Sequence, residues 1–416
     1  SMKRSFALAL LICTLRLTAQ NFTPQQYRED FEYFWRTIKE DYCYWDKKQT
    51  DWERVRTVFA PRMDTITSRG SFVLVMEKVF NELYDHHASM NTNVNESQRL
   101  VPSGTDIWAV YAHGKPVITE VRIGSGAERS GLRAGMEVVS FNDIPVETAI
   151  LPLLPMSLSK PDAEAKNYAL RILLAGKSVD DRKIVAKDKD GTHDYFPERP
   201  NNLLIDFPYN GYIESKIYPG NIGYIRINNR LGENELIALF DSVLQSLKNT
   251  KALILDLRAT PSGGNTTVAR AIIGSFISKD GFYQKHELTA EERTYGIKRS
   301  WMEIVSPRKF IYTKPLVLLV DHWTGSIAEG ITIGFDAFKR AMIIGTPMAG
   351  LNGAVYSYQM PNTKIGFSFP VEKLFHINGT AREKFKPSII PDLTKQKAGE
   401  DLLLNKAVSL LIKKKN

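Results

Sequence analysis

Apolar positions along this chain change their period twice, and each change marks a new kind of structure. From residue 22 to about residue 100 they recur every three or four places. In "TPQQYREDFEYFWRTIKEDY" the stripe is Tyr27, Phe31, Phe34 and Ile38. That spacing predicts an amphipathic helix, with Thr23 as its cap and Pro24 at the first helical position. "DWERVRTVFAPRM" and "SFVLVMEKVFNELY" repeat the pattern, and the second runs into "DHHASMN". A helical domain over 22–100 is expected, ending on a histidine pair.

Over 101–200 the period drops towards two and glycines interrupt it. "KPVITEVRIGSGAERSGLRAGMEVVSFNDIPVE" predicts short strands, a short helix, a tight Gly turn and an Asn-Asp turn. A helix over "DAEAKNYALRILLAG" and a strand pair around "KDG" complete the region. Gly131, Leu132, Gly135 and Asn142 give it a resemblance to PDZ domains, with Met136 where an acid is usual. The resemblance implies a β-rich module that receives extended peptide ends by strand addition.

Over 201–416, continuous apolar runs alternate with amphipathic ones. "GNIGYIRIN", "KALILDLRA", "PLVLLVD" and "AMIIGT" read as strands. "ENELIALFDSVLQSLKNT", "NTTVARAIIGSFI" and "SIAEGITIGFDAF" read as helices between them. Strands buried on both faces predict a mostly parallel sheet covered by helices. The fold class expected is therefore multidomain α/β. Ligands of such sheets sit beyond the carboxyl ends of the strands. Two Gly-bearing turns, "RATPSGGNTT" and "WTGSIAEG", fall there.

Composition narrows the picture little. With 43% hydrophobic and 24% charged residues among 416, the chain reads as ordinary globular protein. Its first residues carry Lys3 and Arg4, an apolar run from Phe6 to Leu15 and small residues near Ala19, which predicts a secretory signal peptide over 1–19. Its removal takes three positive charges (Lys3, Arg4, Arg16) and no acids from the formal +9, leaving +6. No basic stripe interleaved with aromatics suggests a nucleic-acid partner. No later stretch is apolar enough to span a bilayer. Only Cys43 remains after cleavage, so no internal disulfide is expected. The compartment expected is the periplasm, ahead of an outer-membrane lipoprotein anchored at Cys13 or full secretion.

Ser326 in "WTGSIAEG" is the first candidate for chemistry. Acyl transfer to a serine needs a base and N–H donors aimed at the developing oxyanion. At a helix start the neighbouring amides are free and the helix dipole favours negative charge. Ile327 can supply one donor, and Gly263 or Gly264 in "PSGG" a second, since glycine permits close approach. The competing reading of Ser326 is a plain helix cap.

Taken in order, "NIGYIRIN", "ALILDLRATPSGGN", "LVDHWTGSIAEG", "AMIIGT" and "GTAREKFKPSIIPDL" resemble the C-terminal-processing and tricorn-type serine peptidases. The helical region and the PDZ-like segment match the exported bacterial branch. The resemblance implies a spiral α/β core of the ClpP/crotonase kind, Ser326 as nucleophile and no cofactor. One branch places a lysine base about twenty-five residues after the serine, but no lysine lies between Arg340 and Lys364. The other uses a histidine in a D-x-H motif, which "LYDHHASM" supplies as Asp85 and His87. By the same resemblance His86 stands at the orienting position before it, where a smaller hydroxyl residue is usual. Glu383 in "GTAREKF" stands at the supporting glutamate's position. "RATPSGG" is one residue longer than usual, and the segment from Glu383 to Pro391–Asp392 is also longer than usual.

The remaining histidines take milder readings. His113, His193 and His286 are expected at the surface, His322 is a reserve base, and His376 has no motif behind it. A metal on the His86/His87 pair lacks HExxH-type spacing. The expected function is an exported serine endopeptidase acting on peptide or protein substrates. The alternatives are a catalytically silent peptide-binding or chaperone-like protein on the same scaffold, or an acyl-CoA enzyme, which the export signal disfavours.

Overall fold

The computed structural model describes residues 21–199 and 211–413. The expected signal peptide, with Cys13, lies outside the described residues. Three helices open the chain: α1 (Pro24–Asp41), α2 (Trp52–Phe59) and α3 (Arg69–Asn81). The Thr23 side chain accepts from the Gln26 N–H and Pro24 stands in the first turn, as the cap pattern predicts. Tyr27, Phe31, Phe34 and Ile38 are all buried. The helical run ends earlier than residue 100, because β1 (Ser89–Met90) follows the histidine pair.

A six-stranded sheet comes next: β2 (Ile107–Ala112), β3 (Lys115–Val121), β4 (Glu137–Phe141), β5 (Ile144–Pro145), β6 (Ile184–Asp188) and β7 (Gly191–Tyr195). The short helices α4 (Gly126–Ser130) and α5 (Val146–Ala149) and the longer α6 (Ala163–Ala175) belong to the same region. Gly131 ends α4 with φ 109°, a backbone state open to glycine. Asn142 and Asp143, with φ 48° and 66°, turn β4 into β5. Trp108, Ile118, Leu132, Leu170 and Leu174 lie in this unit's core.

The rest of the chain runs β8 (Ile213–Tyr218), β9 (Ile222–Ile227), α7 (Leu236–Ser246), β10 (Ala252–Asp256), α8 (Thr266–Gly274), β11 (Gly281–Leu288) and α9 (Thr289–Tyr295). It continues with β12 (Arg299–Val305), β13 (Leu316–Val320), α10 (Ile327–Ala337), β14 (Met342–Gly345), β15 (Ala354–Gln359), β16 (Gly366–Phe375) and α11 (Leu402–Lys413). One sheet has the order β14-β13-β10-β9-β8. Its first four strands are parallel, and β8 is antiparallel to β9. Leucines and isoleucines of α7, α8 and α10 cover one face, and Leu403 and Ala407 of α11 lie on the other. Burial on both faces explains why these strands read as unbroken apolar runs.

A second sheet, of order β1-β16-β11-β12 with β15 also on β16, is antiparallel. The helical region packs on it: Phe31, Phe34 and Phe80 share a core with Phe367, Phe369 and Val371 of β16. Pairing of Ser89 with Ser368 then fixes the chain just past the histidine pair against the carboxyl-terminal region.

Candidate active site

Strands β10 and β13 run side by side, so the two glycine turns at their carboxyl ends meet. Thr260 bridges Thr324, and the Gly325 N–H donates to the Thr260 carbonyl at 3.2 Å. The Gly263 backbone, at φ 67°, lies directly against Ser326. A Cβ there would stand 2.4 Å from the serine Cβ and 3.0 Å from its Oγ, so only glycine fits this turn.

Ser326 itself holds φ 54° and ψ −114°, strained for a residue with a side chain. A serine on a sharp strand-to-helix turn is thereby pushed outward. Of residues 321–330, all but Ser326 are buried. The plain-cap reading fails in an informative way. The Ser326 hydroxyl makes no side-chain cap hydrogen bond; instead its N–H donates to Glu329 Oε2 at 2.8 Å. The Ser326 side chain also faces the Glu329 N–H in capping-box fashion, but that N–H donates to the Ser326 carbonyl at 2.9 Å, and the hydroxyl makes no full hydrogen bond among the described residues. Ile327 N–H, first in α10, and Gly264 N–H donate no hydrogen bond among the described residues. Gly263 N–H reaches only the Thr260 carbonyl, at 3.3 Å.

Glu329 is fully buried and ties this turn to the loop before β15. It accepts from Gly350 N–H at 3.0 Å and Leu351 N–H at 3.2 Å. Burial pushes its carboxyl up to about 7, while Arg382 and the three N–H donors pull it back. Arg382, also buried, donates to the Leu351 and Gly353 carbonyls and lies 3.9 Å from Glu329. The residue between them, Asn352, offers its carbonyl to His87 Nδ1 at 2.6 Å. A carbonyl can only accept, so Nδ1 carries the proton and Nε2 keeps its lone pair. Burial, with Arg382 adding to it, pushes the imidazole down to about 4, so the ring is neutral near pH 7.

Asp85 organises this arrangement. It accepts from His87 N–H at 2.9 Å, from Asn352 Nδ2 at 3.0 Å and from the Tyr42 hydroxyl at 2.6 Å. Ser326, through Glu329, and His87, directly, are thus both tied to one short loop, residues 350–353, with no hydrogen bond between them. Asn352, Arg382 and Glu329 were not singled out from the sequence. The spacing Ser-x-x-Glu in "SIAE" carries a readable signal for Glu329, whereas nothing local marks the other two.

The other expected site residues lie apart from His87's hydrogen bonds. His86 stacks on Tyr168 at 4.5 Å, and neither ring nitrogen has a partner. Burial, then Arg171 and Lys48, hold it well below the usual histidine range. Glu383 Oε1 pairs with Lys47 at 2.6 Å and its Oε2 is buried without a partner. No hydrogen bond joins His86 to Glu383 or either to His87.

Among the remaining histidines, His113 and His193 are exposed as expected. His286 is not: it is buried, stacked on Trp301 at 4.9 Å, with Nδ1 2.8 Å from Glu372 and Nε2 3.1 Å from Glu303. Its strand lies inside the antiparallel sheet, which local polarity did not reveal. His376 is also buried, 3.0 Å from Asp336. His322 stacks on Trp108 and its Nδ1 is held by Glu120. Beside it, Trp323 sits in the core of the β2–β7 unit and donates to the Thr105 carbonyl at 2.8 Å. The turn leading to Ser326 is thereby anchored in the β-rich unit.

Residues 221–394 match the family model described as Peptidase family S41, and residues 23–81 match the Tricorn protease C1 domain. Among solved structures the chain is similar to mature CPAF, with 17% identity and a TM-score of 0.62 over 94% of this chain and 98% of that one. It is similar to a photosystem II D1 C-terminal processing protease, with 17% identity and a TM-score of 0.56 over 93% and 97%. A putative peptidase from Parabacteroides merdae gives 16% identity and a TM-score of 0.53 over 94% and 98%. Identities this low speak to the fold, which is a mixed α/β arrangement shared with these proteins. The stretch matched by peptidase family S41 holds the four parallel strands, both glycine turns and Ser326, and with it the chain is a serine-type peptidase.

Proposed function

We propose that the protein is an exported serine endopeptidase in which Ser326 attacks the scissile carbonyl and His87 is the base. His87 Nε2 takes the hydroxyl proton as the C–O bond forms, and the carbonyl oxygen becomes the oxyanion. Ile327 N–H and an N–H of Gly263 or Gly264 hold that charge. Collapse of the intermediate breaks the C–N bond, and the imidazolium returns its proton to the leaving amine. Water, deprotonated by the same ring, then releases the acyl group. The Asn352 carbonyl orients the base, with Asp85 fixing both Asn352 and the His87 backbone. Glu383 and His86 act further out, as support for Lys47 and the wall at Tyr168.

The observation that carries this reading is the half-buried, strained Ser326, the one residue of 321–330 that is not buried, set against Gly263. The β2–β7 unit is read as a PDZ-like module that receives an extended peptide, and the α/β core as the spiral of the ClpP/crotonase kind. Unfolded or C-terminally exposed proteins in the periplasm are the proposed substrates. Labelling with a fluorophosphonate tests the chemistry: wild type is modified at Ser326, and Ser326→Ala is neither labelled nor able to cleave casein. Equal labelling of both proteins refutes the assignment. Peptide affinity with no labelling of wild type selects the silent binding protein instead.

A further inference from the structure

Beside the histidine pair lies a cavity that the chemistry above does not use. Its volume is about 350 Å³, and one wall is Ala88, Ser89 and Met90, the residues directly after His87. Leu74 and Phe80 of α3 face it from the helical region. Leu153, Tyr168 and Ile172 close it from the β-rich unit. The Tyr168 hydroxyl donates to Asn81 Oδ1 at 2.9 Å, which ties α6 to α3 and preforms the wall. Glu77, Lys78, Glu96, Arg99 and Lys177 also line it; Glu77 accepts from the Ser97 hydroxyl at 2.5 Å and Arg99 pairs with Glu198 at 3.3 Å, so these two already have partners within the protein. A lining rich in Leu74, Phe80, Met90, Leu153, Tyr168 and Ile172, in the size range of ligand pockets, suits an apolar side chain on a hydrated backbone.

Its position says whose side chain. In the proposed reaction the imidazolium protonates the leaving amine, so the chain beyond the scissile bond must pass His87. Two residues later β1 begins. It pairs with β16 along one edge, and no strand among the described residues pairs with the other. An open edge is where an extended peptide adds as a further strand, with alternate side chains directed to each face.

We infer that this cavity is a specificity pocket for a large apolar side chain, Leu or Phe, on the leaving side of a peptide substrate laid along the open edge of β1. The inference rests on the catalytic reading of Ser326 and His87 and adds to it a subsite and a substrate preference. Leu74, half-buried on α3, is the residue whose enlargement fills the space with least disturbance of the core.

The test uses short peptides that differ only by Ala, Leu or Phe at successive leaving-side positions. Binding to Ser326→Ala protein is read by fluorescence polarisation, and cleavage by the active protein by mass spectrometry. One position is expected to favour Leu or Phe over Ala by at least about 10-fold in both. Leu74→Trp removes that preference while the active protein still reacts with fluorophosphonate at the wild-type rate. Leu74→Ala shifts the preference towards Phe, which separates pocket size from folding damage. A preference unchanged by Leu74→Trp overturns the inference, as does its absence in wild type. A fatty-acid probe that occupies the cavity but is not displaced by the peptides overturns it too. If wild type resists fluorophosphonate, the catalytic reading fails, while the binding measurements still decide the pocket.

Discussion

Replacing Gly263 by alanine asks directly whether the two glycine turns make one site. Two costs follow from the geometry. A side-chain residue at φ 67° sits in the left-handed region, which costs about 1–2 kcal/mol. The new methyl would stand 2.4 Å from Ser326 Cβ and 3.2 Å from the Gly325 carbonyl oxygen. Carbon atoms settle at about 3.5–4.0 Å, so the turns must part by roughly 1 Å. Overpacking of this kind costs about 1–3 kcal/mol, which brings the total to about 2–5 kcal/mol. A 1 Å displacement of a reacting group can cost about 10²-fold in rate, and the fluorophosphonate labelling rate should fall by about that factor. Gly296→Ala is the control. Its φ is 71° and no atom lies within 4 Å of the added methyl, so it bears the backbone cost alone. Labelling rates and urea unfolding of the three proteins supply the comparison. Wild-type labelling of a folded Gly263→Ala protein would refute the joint site.

Asp85→Ala strands three donors at once, the Tyr42 hydroxyl, Asn352 Nδ2 and His87 N–H. Turnover is expected to drop by more than about 10-fold, at about 1–3 kcal/mol for each bond lost to a charged acceptor. Asp85→Asn should fall between, and kcat measured against KM distinguishes loss of positioning from loss of binding. A further outcome concerns pH. With its imidazole held down to about 4, His87 stays neutral through mild acid, so the acid limb of kcat/KM should centre near 4. An acid limb near 6.5 that vanishes with His87 replaced would contradict this. The same shift has a stability sign. The unfolded ring binds its proton near 6.5 and the native one only near 4, so stability declines as pH falls between those values and levels off below.

Much of the architecture could be read from local pattern. Continuous apolar runs separated by helical periods meant a parallel sheet, and β9, β10, β13 and β14 are its parallel strands. The antiparallel sheet was largely missed, because its strands come from distant segments and alternate irregularly. That omission misplaced His286: its sequence neighbours Lys285 and Glu287 suggest a surface position, whereas Glu303, Glu372 and Trp301 fold around it in space.

The sequence by itself determined what short-range forces control: the helix caps, the glycine turns, the apolar strands and a serine placed where a strand gives way to a helix. Backbone sterics and burial of periodic apolar faces act over a few residues, so they leave a mark in any short window. Tertiary structure alone decided how His87 is oriented, since its Nδ1 partner is 265 positions away. It also decided that Glu329 accepts from Gly350 and Leu351, and that Asp85 and Arg382 hold the loop at the candidate site. Hydrogen bonds to buried carbonyls and carboxylates form only once folding has removed water from both partners, and no local spacing records which partners those will be.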